Sequence, residues 1–335
     1  MYNYTMKKEI QHIAIVRLSA LGDIVNSAVV LQFIHQVYPH VKIDWITEEV
    51  FSPLLQNHPI INKVISVNLK KIKKSKNFSL LKETIKTLKS TPKYDLVIDM
   101  QGLLKSAIVA KFLGKNRHGF DKNSTRESLA TLFYTSTSSI SYEANVIQRN
   151  CFVVSDALDF TITKDMLLEK KTIFPISKTF SFDNASKRIA FVIGASWQSK
   201  IYPKEKILEI CDTLQEKSYI IWGNDEEKKT AEWICNNSKY ASLAPKLNLD
   251  ELISYISHMD LLIGNDTGPT HMAWAQNIPS ITLLGPTTTR MIYETPKNIG
   301  IKSSSKVDIL KINKQDFSIS EIKTKDIIKK VQGLL

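Results

Sequence analysis

The sequence predicts an α/β protein built from two domains with mainly parallel sheets. Three observations support this class. Apolar, strand-like runs alternate with helical stretches along the chain, the pattern expected of parallel sheets covered by helices. The runs form two series, separated by a polar stretch between Lys164 and Ser186. A length of 335 residues is long for one core and comfortable for two domains, which we expect to be Rossmann-like.

The first series contains four predicted strands, and the first of them is too apolar to have one face in water. The strands are predicted at His12–Arg17, Val41–Ile46, Val64–Val67 and Tyr94–Asp99. Helices are predicted between them, at Ile24–Val37, at a lysine-rich stretch that includes Lys82, Lys86 and Lys89, and at Gly102–Phe112. This alternation indicates one doubly wound domain.

The second series repeats the pattern and suggests the domain boundaries. Its strands are predicted at Arg188–Gly194, Tyr219–Gly223, Leu261–Gly264 and Ser280–Gly285, and its helices at Lys204–Lys217, Glu226–Asn236 and His271–Gln276. We therefore predict a first domain over residues 1–175 and a second over 176–318. Residues 319–335 form an amphipathic C-terminal helix that could pack back on the first domain.

Several classes of protein are excluded by missing patterns. No apolar run reaches the ~20 residues of a membrane span, and the N-terminus does not resemble a signal peptide, so we expect a cytoplasmic protein. The three cysteines are far apart and predict neither disulfide nor zinc site. The chain lacks G-x-G-x-x-G, a P-loop, H-E-x-x-H and Asp-x-Asp. We therefore expect no metal, and protein cations and dipoles must balance the charge of any bound diphosphate.

The formal net charge of +12 requires an anionic partner or a highly solvated surface. Much of the excess lies in five lysines between Lys70 and Lys76, just before the lysine-rich helix. This cluster is either a solvated face or a surface that attracts anionic lipid headgroups. Nucleic acid is an alternative anionic partner. Binding of single strands would require aromatic residues among the lysines, and this cluster contains none.

The strongest motif of the second half runs from Gly264 to His271. It follows a strand and opens a helix, so Thr267 and Gly268 can present backbone N–H groups to a phosphate at the helix N-terminus. Asp266 could instead be a helix cap, and His271 a buried core residue. The combination favours phosphate binding.

The matching motif of the first half runs from Arg17 to Asp23, between the first strand and the first helix. In doubly wound folds this loop faces the ligand. Asp23 is either an N-cap residue or a general base that takes a proton from an attacking hydroxyl.

Other polar residues follow the strands of the second domain. Lys200 could neutralise charge that develops on a diphosphate leaving group, or could be one more surface lysine. Glu226 and Glu227 follow Trp222-Gly223; either could accept hydrogen bonds from ribose hydroxyls, or both could serve as favourable charges in a first helical turn.

Two polar loops of the first domain suit an acidic sugar. The stretch 99–106 includes Gln101 and Lys105, and the stretch 119–127 includes Arg126. An arginine can bind a carboxylate bidentately, although Arg126 could also form an ion pair with Glu127 or Asp121.

Taken together, these motifs resemble the lipopolysaccharide heptosyltransferases of glycosyltransferase family 9, and the resemblance covers nearly the whole chain. It depends on Ser19-Ala20-Leu21-Gly22-Asp23, on Asp266-Thr267-Gly268 with His271, and on Leu284-Gly285-Pro286-Thr287. The stretches Asp99–Ser106 and Ser124–Glu127 resemble the type I members more than the type II members. The resemblance implies a GT-B fold, in which the sheets of two Rossmann-like domains face a central cleft.

The resemblance also implies the reaction and the roles of the site residues. L-glycero-D-manno-heptose would move from ADP-heptose to the first Kdo sugar of Kdo-lipid A, with inversion and without a cofactor. By similarity, Asp23 is the base. The donor would contact Lys200, Glu227, Asp266, Thr267, Gly268 and His271, and the acceptor would contact Gln101, Lys105 and Arg126.

Such an enzyme would be a monomer, held peripherally on the cytoplasmic face of the inner membrane, and would bind no nucleic acid. A lipid acceptor favours the membrane interpretation of the lysine cluster. Two alternatives remain: a type II or other family member with a different inner-core acceptor, and a basic nucleic-acid-binding protein.

Overall fold

The computed structural model describes residues 10–182 and 187–335. Within these residues twelve strands form two six-stranded sheets, and every pair of neighbouring strands is parallel. The strands of the first sheet are β1 (His12–Val16), β2 (Lys42–Glu48), β3 (Lys63–Val67), β4 (Leu96–Asp99), β5 (Arg117–Phe120) and β6 (Ser136–Ser138). Those of the second are β7 (Arg188–Val192), β8 (Lys217–Ile221), β9 (Ala241–Leu243), β10 (Leu261–Asn265), β11 (Ser280–Leu284) and β12 (Asn298–Lys302).

Helices connect these strands. They are α1 (Leu21–Ser27), α2 (Val30–Val37), α3 (Ser52–Leu55), α4 (Leu69–Ser75), α5 (Phe78–Lys89), α6 (Leu104–Leu113), α7 (Val146–Leu158), α8 (Lys164–Leu168), α9 (Lys204–Leu214), α10 (Asp225–Asn237), α11 (Leu249–Ile256), α12 (Gly268–Ala275) and α13 (Thr324–Gln332). Across the described residues, none of the helices has both the length and the apolar character needed to cross a bilayer.

The two sheets have the same topology. The first has the order β3-β2-β1-β4-β5-β6, and the second has the order β12-β11-β10-β7-β8-β9, which is the same arrangement read from the opposite edge. In each sheet the strand order reverses between the first and the fourth strand. Loops that leave the carboxyl ends of these two strands diverge, and the crevice between them is where doubly wound sheets bind ligands. The fold therefore points to β1 with β4, and to β7 with β10.

The chain divides into two compact units, each containing one sheet. The first comprises residues up to Ser19 together with 27–142 and 149–164, and the second comprises 20–26, 143–148 and 165–335. Ala20, at the end of the loop after β1, and α1 up to Asn26 thus belong to the same unit as the second sheet. The prediction of two Rossmann-like α/β units with parallel sheets is confirmed.

The predicted strands are those with apolar cores, and the structure adds four that the sequence pattern missed. These are β5, β6, β9 and β12. They are short or polar, and β6 is only Ser136-Thr137-Ser138. Strands β6, β9 and β12 lie at sheet edges, where one side of the strand is not covered by a neighbour. The predicted polar loop 119–127 is corrected accordingly, since Gly119 and Phe120 end β5.

The amphipathic C-terminal segment is shorter than predicted and has a definite packing partner. Ile327 and Val331 on α13 are buried in the core of the second unit, together with Ile207 and Ile210 of α9. The sequence had suggested packing on the first domain. Its 3.6-residue pattern shows which face of a helix is buried but carries no information about the surface it packs against.

One buried lysine stabilises the junction between α8 and α12. Lys170 is 6% exposed, and its ammonium group donates hydrogen bonds to Asn277 Oδ1 at 2.6 Å and to the carbonyl of Ala275 at 3.3 Å. The same group lies 4.5 Å from the ring centre of Trp274. Burial lowers the pKa of Lys170 from 10.5 to about 7.

This shift predicts that stability rises with pH above neutrality. Unfolding returns Lys170 to an ordinary lysine pKa, so between about pH 7 and pH 10.5 the unfolded chain binds the additional proton. The free energy of unfolding should therefore increase with pH, by up to about 1.4 kcal/mol per pH unit. Urea denaturation at several pH values should show that Lys170→Met flattens this slope, whereas Lys171→Met, at an exposed neighbour, keeps it. An identical slope in Lys170→Met would contradict the assignment.

Candidate active site

The carboxyl ends of β7 and β10 bring Lys200 and Asp266 together, although 66 residues separate them. Asp266 directly follows β10, and Lys200 lies on a short 3-10 turn after β7. Lys200 Nζ donates to Asp266 Oδ2 at 2.8 Å, and His271 Nε2 lies 3.1 Å from Asp266 Oδ1. All three side chains are at least nine-tenths buried. The predicted lysine, aspartate and histidine therefore form one hydrogen-bonded group.

The group keeps Asp266 ionised. Burial alone would raise the pKa of this carboxyl, but the charge of Lys200 and the hydrogen bond from His271 lower it far below its usual range. Both carboxylate oxygens are occupied, one by the lysine and one by the histidine. Asp266 is consequently more than a helix cap: it orients the two neighbouring side chains.

Helix α12 begins next to this group with half-buried residues and an N-terminus that no side chain caps. Thr267 is the N-cap residue, yet its side chain makes no capping hydrogen bond, and its hydroxyl is buried without a partner. A free helix N-terminus directs N–H groups and a positive dipole end outward, which suits a phosphate. The local structure is therefore the one expected for anion binding.

The start of α1 packs tightly against the start of α12 through two glycines. A Cβ on Gly22 would lie 2.6 Å from His271 Cδ2, and a Cβ on Gly268 would lie 2.4 Å from Leu21 Cγ. Neither glycine can be replaced without displacing its neighbour. The two predicted motifs therefore meet within the second unit.

Asp23 lies on α1 within this contact. The helix begins at Leu21, three residues earlier than predicted, so Asp23 is its third residue rather than its N-cap. Its Oδ2 accepts a hydrogen bond from the backbone N–H of Ala20 at 3.2 Å, and the side chain is half-buried. Asp23 is thus held at the helix start, one residue after the glycine that contacts His271.

The two glutamates after β8 have different surroundings. Glu226 is exposed and pairs with Lys229 at 2.8 Å. Glu227 accepts hydrogen bonds from the Gly223 N–H at 2.7 Å and from Asn224 Nδ2 at 2.8 Å. A Cβ on Gly194 would lie 2.3 Å from Glu227 Oε1, so this carboxylate lies over the end of β7. The structure thus distinguishes Glu227 as the glutamate of the strand-end region.

With the Thr267 hydroxyl, four polar side-chain atoms of this unit's strand-end loops are buried without a hydrogen-bond partner. They are Thr267 Oγ1, Thr287 Oγ1, Trp197 Nε1 and Ser199 Oγ. Such an atom costs ~1–3 kcal/mol when nothing satisfies it, so each of these four could gain a hydrogen bond from a bound ligand or water. The sequence could not select Thr287 from its neighbours Thr288 and Thr289; only its buried hydroxyl does so.

The first sheet places Gln101 and Lys105 beside Ser19. Two side chains donate to Ser19 Oγ: Gln101 Nε2 at 3.4 Å and Lys105 Nζ at 3.1 Å. Gln101 Oε1 accepts a hydrogen bond from the Leu18 N–H at 2.8 Å. These residues follow β1 and β4, the two strands at which the order of the first sheet reverses. Burial lowers the pKa of Lys105, and nearby Glu48 partly opposes the shift.

A set of hydrogen bonds to the buried Asp99 carboxylate, which the sequence did not indicate, holds the loop with Gln101. Asp99 Oδ1 accepts from the N–H groups of Gln101 and Gly102, and Tyr134 donates to Asp99 Oδ2 at 2.7 Å. Gly102 has a φ of +67°, which favours glycine, and its carbonyl accepts from the Thr125 hydroxyl. The partner of Asp99 is 35 residues away, so no local pattern could have identified it.

Arg126 lies on a loop whose position depends on another arginine. Arg126 is exposed and pairs with neither Glu127 nor Asp121: Glu127 accepts from the Leu104 N–H, and Asp121 accepts from backbone N–H groups of its own turn. Arg149, 6% exposed, donates to three backbone carbonyls and stacks on Phe120. No motif in the sequence pointed to Arg149.

The described residues contain no cluster of three or more histidine, cysteine, aspartate or glutamate side chains arranged to hold a metal ion. The three cysteines have free thiols, and burial raises the pKa of Cys151 and Cys211 to about 12. The thiols of these two residues are therefore protonated at neutral pH and suited to packing rather than to nucleophilic chemistry.

Comparison with known proteins gives a consistent result. The family model for glycosyltransferase family 9 (heptosyltransferase) matches residues 82–317. The chain is 38% identical to lipopolysaccharide heptosyltransferase 1 of Campylobacter coli, covering 96% of this chain and 98% of the relative. It is 26% identical to lipopolysaccharide heptosyltransferase 1 of Escherichia coli K12, covering 90% and 97%.

Solved structures agree on the fold. The E. coli heptosyltransferase WaaC with ADP-2-deoxy-2-fluoro heptose superposes with a TM-score of 0.80 at 22% identity, covering 96% of this chain and 99% of that chain. The predicted GT-B fold is thereby confirmed. Because the family model spans well over half the sequence and a relative with 38% identity matches nearly all of it, the chain belongs to glycosyltransferase family 9, the heptosyltransferases.

Proposed function

We propose that this enzyme transfers L-glycero-D-manno-heptose from ADP-heptose to the first Kdo of Kdo-lipid A, with inversion. One observation carries the proposal: Lys200, Asp266 and His271 form a buried group at the N-terminus of α12, and the start of α1, which carries Asp23, packs on it through Gly22. A diphosphate-binding end and a carboxylate base are the two elements an inverting transfer needs. The curated relatives described above carry the type I name.

The donor is proposed to bind the second unit. The N–H groups at Thr267 and Gly268, with Lys200, would contact the diphosphate, and His271 and Asp266 would border the heptose. Glu227 would accept hydrogen bonds from the ribose hydroxyls. The acceptor is proposed to bind the first unit, with its carboxylate or phosphate near Gln101, Lys105 and Arg126.

The proposed reaction is a single displacement. The acceptor hydroxyl oxygen forms a bond to the anomeric carbon of heptose, and the bond from that carbon to the β-phosphate oxygen breaks, with the electron pair leaving on ADP. Asp23 takes the proton of the attacking hydroxyl. The transition state resembles an oxocarbenium ion, and Lys200 with the α12 amides stabilises the charge that develops on the leaving diphosphate.

A peripheral membrane position is part of the proposal. The lysine cluster forms α4 and the turn after it, and these lysines are exposed. Next to them, the aromatic side chain of Phe78 is 76% exposed. A basic surface with an exposed aromatic residue suits the headgroup region of an anionic membrane, where each lysine contributes ~1 kcal/mol. We propose that the monomer binds the cytoplasmic face in this way.

The function is tested by mass measurement of the product. Purified chain, ADP-heptose and Kdo-lipid A should give an acceptor heavier by one heptose, and excess EDTA should not reduce the yield. Transfer only to an acceptor that already carries a heptose would indicate a type II enzyme. Absence of transfer to either acceptor would contradict the proposal, and strict dependence on a divalent metal would contradict its electrostatic part.

The ribose assignment predicts different effects for two adjacent glutamates. Glu227→Gln should raise the donor KM about tenfold, because a charged hydrogen bond to ribose is lost. Glu226→Gln, which removes only an exposed ion pair with Lys229, should leave the donor KM unchanged. Initial rates at varied ADP-heptose would test this, and equal effects of the two substitutions would remove Glu227 from the site.

A further inference from the structure

The charge balance of the donor site is incomplete without another cation. Lys200 is the cation that reaches the candidate diphosphate position, but it is already paired at 2.8 Å with Asp266, which also binds His271. Each phosphate of a sugar nucleotide carries a negative charge, and the leaving ADP carries more. A neutralised Lys200 and the α12 N-terminus leave part of this charge uncompensated.

A second lysine contacts the same aromatic ring as Lys200. Lys314 Nζ lies 5.1 Å from the ring centre of Trp197, and Lys200 Nζ lies 5.2 Å from the same point. Cation–π contacts of this kind hold an ammonium group in a defined place. Unlike Lys200, Lys314 is exposed, and among the described residues it forms no ion pair with a carboxylate.

The segment that carries Lys314 has a defined structure beside the donor site. It follows β12, where the Ser303 N–H donates to the carbonyl of Leu284 at 2.8 Å. Asp316 Oδ2 accepts a hydrogen bond from the Ser305 hydroxyl. Ile319 packs closely against Gly285: a Cβ on Gly285 would lie 2.6 Å from Ile319 Cβ. The segment therefore adjoins the loop with the buried, unpartnered hydroxyl of Thr287.

Trp197 itself adds an independent sign of a ligand. Its Nε1 and the neighbouring Ser199 Oγ are buried with no hydrogen-bond partner. An indole that contacts two ammonium groups while its own donor is unsatisfied is an incomplete arrangement, and an anionic oxygen near the two lysines would complete it.

We infer that Lys314 is a second donor-binding lysine, which Trp197 holds beside Lys200 so that the two contact the diphosphate of the nucleotide sugar. The inference rests on the proposed function. It assigns a residue of the segment between β12 and α13 to the donor site, outside the motifs identified in the sequence. Trp197 acts as the positioning residue for both ammonium groups.

Binding of ADP and of adenosine tests this without requiring transfer. By calorimetry, Lys314→Ala should bind ADP about tenfold more weakly, because a charge-assisted phosphate contact is lost, and should bind adenosine unchanged. Lys311→Ala, at an exposed lysine of the same segment, is the matched control and should bind both ligands normally. Trp197→Leu should reproduce the ADP-specific loss, and Trp197→Phe should partly restore affinity.

The outcomes separate this inference from the proposed function. Wild-type affinity for ADP in Lys314→Ala, or equal losses in Lys314→Ala and Lys311→Ala, would overturn the inference while the proposed function stands. A wild-type chain that binds neither ADP nor ADP-heptose would overturn the proposed function and the inference with it. Because Lys314 is exposed, its substitution should leave the thermal unfolding midpoint unchanged, which excludes loss of fold as the cause.

Discussion

Replacement of Asp23 by asparagine is expected to abolish transfer while leaving donor binding intact. Asparagine retains an oxygen that can accept the hydrogen bond from the Ala20 N–H, so the start of α1 should be preserved. It cannot take the proton of the acceptor hydroxyl, and loss of a general base typically costs ~10²–10⁴-fold in rate. Turnover measured with saturating ADP-heptose, together with ADP affinity, would separate the two effects.

Controls for Asp23 follow from its position on the helix. Asp23→Ala removes both the base and the hydrogen bond, so it should be as inactive as Asp23→Asn and slightly less stable. Asp23→Glu keeps a carboxylate but moves it, and partial activity is expected. Turnover near wild type in Asp23→Asn would remove Asp23 as the base.

The second large effect is expected at the Lys200–Asp266 ion pair. Lys200→Met should lose both donor use and stability, because it leaves Asp266 as a buried carboxylate without its cation. Removing one partner of a buried pair typically costs ~3–5 kcal/mol in the free energy of unfolding. Both side chains are at least nine-tenths buried, so solvent provides little screening.

A double substitution separates structure from function at this pair. Lys200→Met with Asp266→Asn removes both charges, so much of the stability lost in Lys200→Met should return. Transfer should stay low, because no lysine then opposes the charge of the leaving group. Recovery of transfer in the double variant would show that Lys200 serves only to neutralise Asp266.

The fold class was predictable because the central strands are continuous apolar runs. Buried parallel strands such as β1 and β10 need apolar residues on both faces, and that requirement is visible in the sequence. Edge strands such as β6 have no such requirement, and their polar residues resemble a loop. The identical strand order of the two sheets depends on which strands pair, and composition does not record pairing.

The candidate site was predictable as motifs but not as an arrangement. The position of Asp266 after a strand and before a helix was readable locally. Its ion pair with Lys200, 66 residues away, required the fold. The residues alone left Glu226 and Glu227 equivalent, and only the family resemblance favoured Glu227. The structure adds that Gly194, which has no side chain, leaves room for the carboxylate of Glu227.

Structural supports were missed for the same reason. Tyr134 appears in the sequence as an ordinary aromatic residue, yet its hydroxyl holds Asp99 and so shapes the turn with Gln101. Arg149 donates hydrogen bonds to three backbone carbonyls of the first unit, and it belongs to no sequence motif. Such residues act through tertiary contacts, which a linear pattern of residue types does not contain.

The central claim is that the Asp23 carboxylate faces the anomeric carbon of a donor whose diphosphate lies at the N-terminus of α12. A crystal structure with the unreactive analogue ADP-2-deoxy-2-fluoro-heptose tests it most directly. We expect the diphosphate to contact Thr267, Gly268 and Lys200, and the face of the anomeric carbon opposite ADP to be directed toward Asp23. A diphosphate bound elsewhere, or an Asp23 side chain turned away from that carbon, would contradict it.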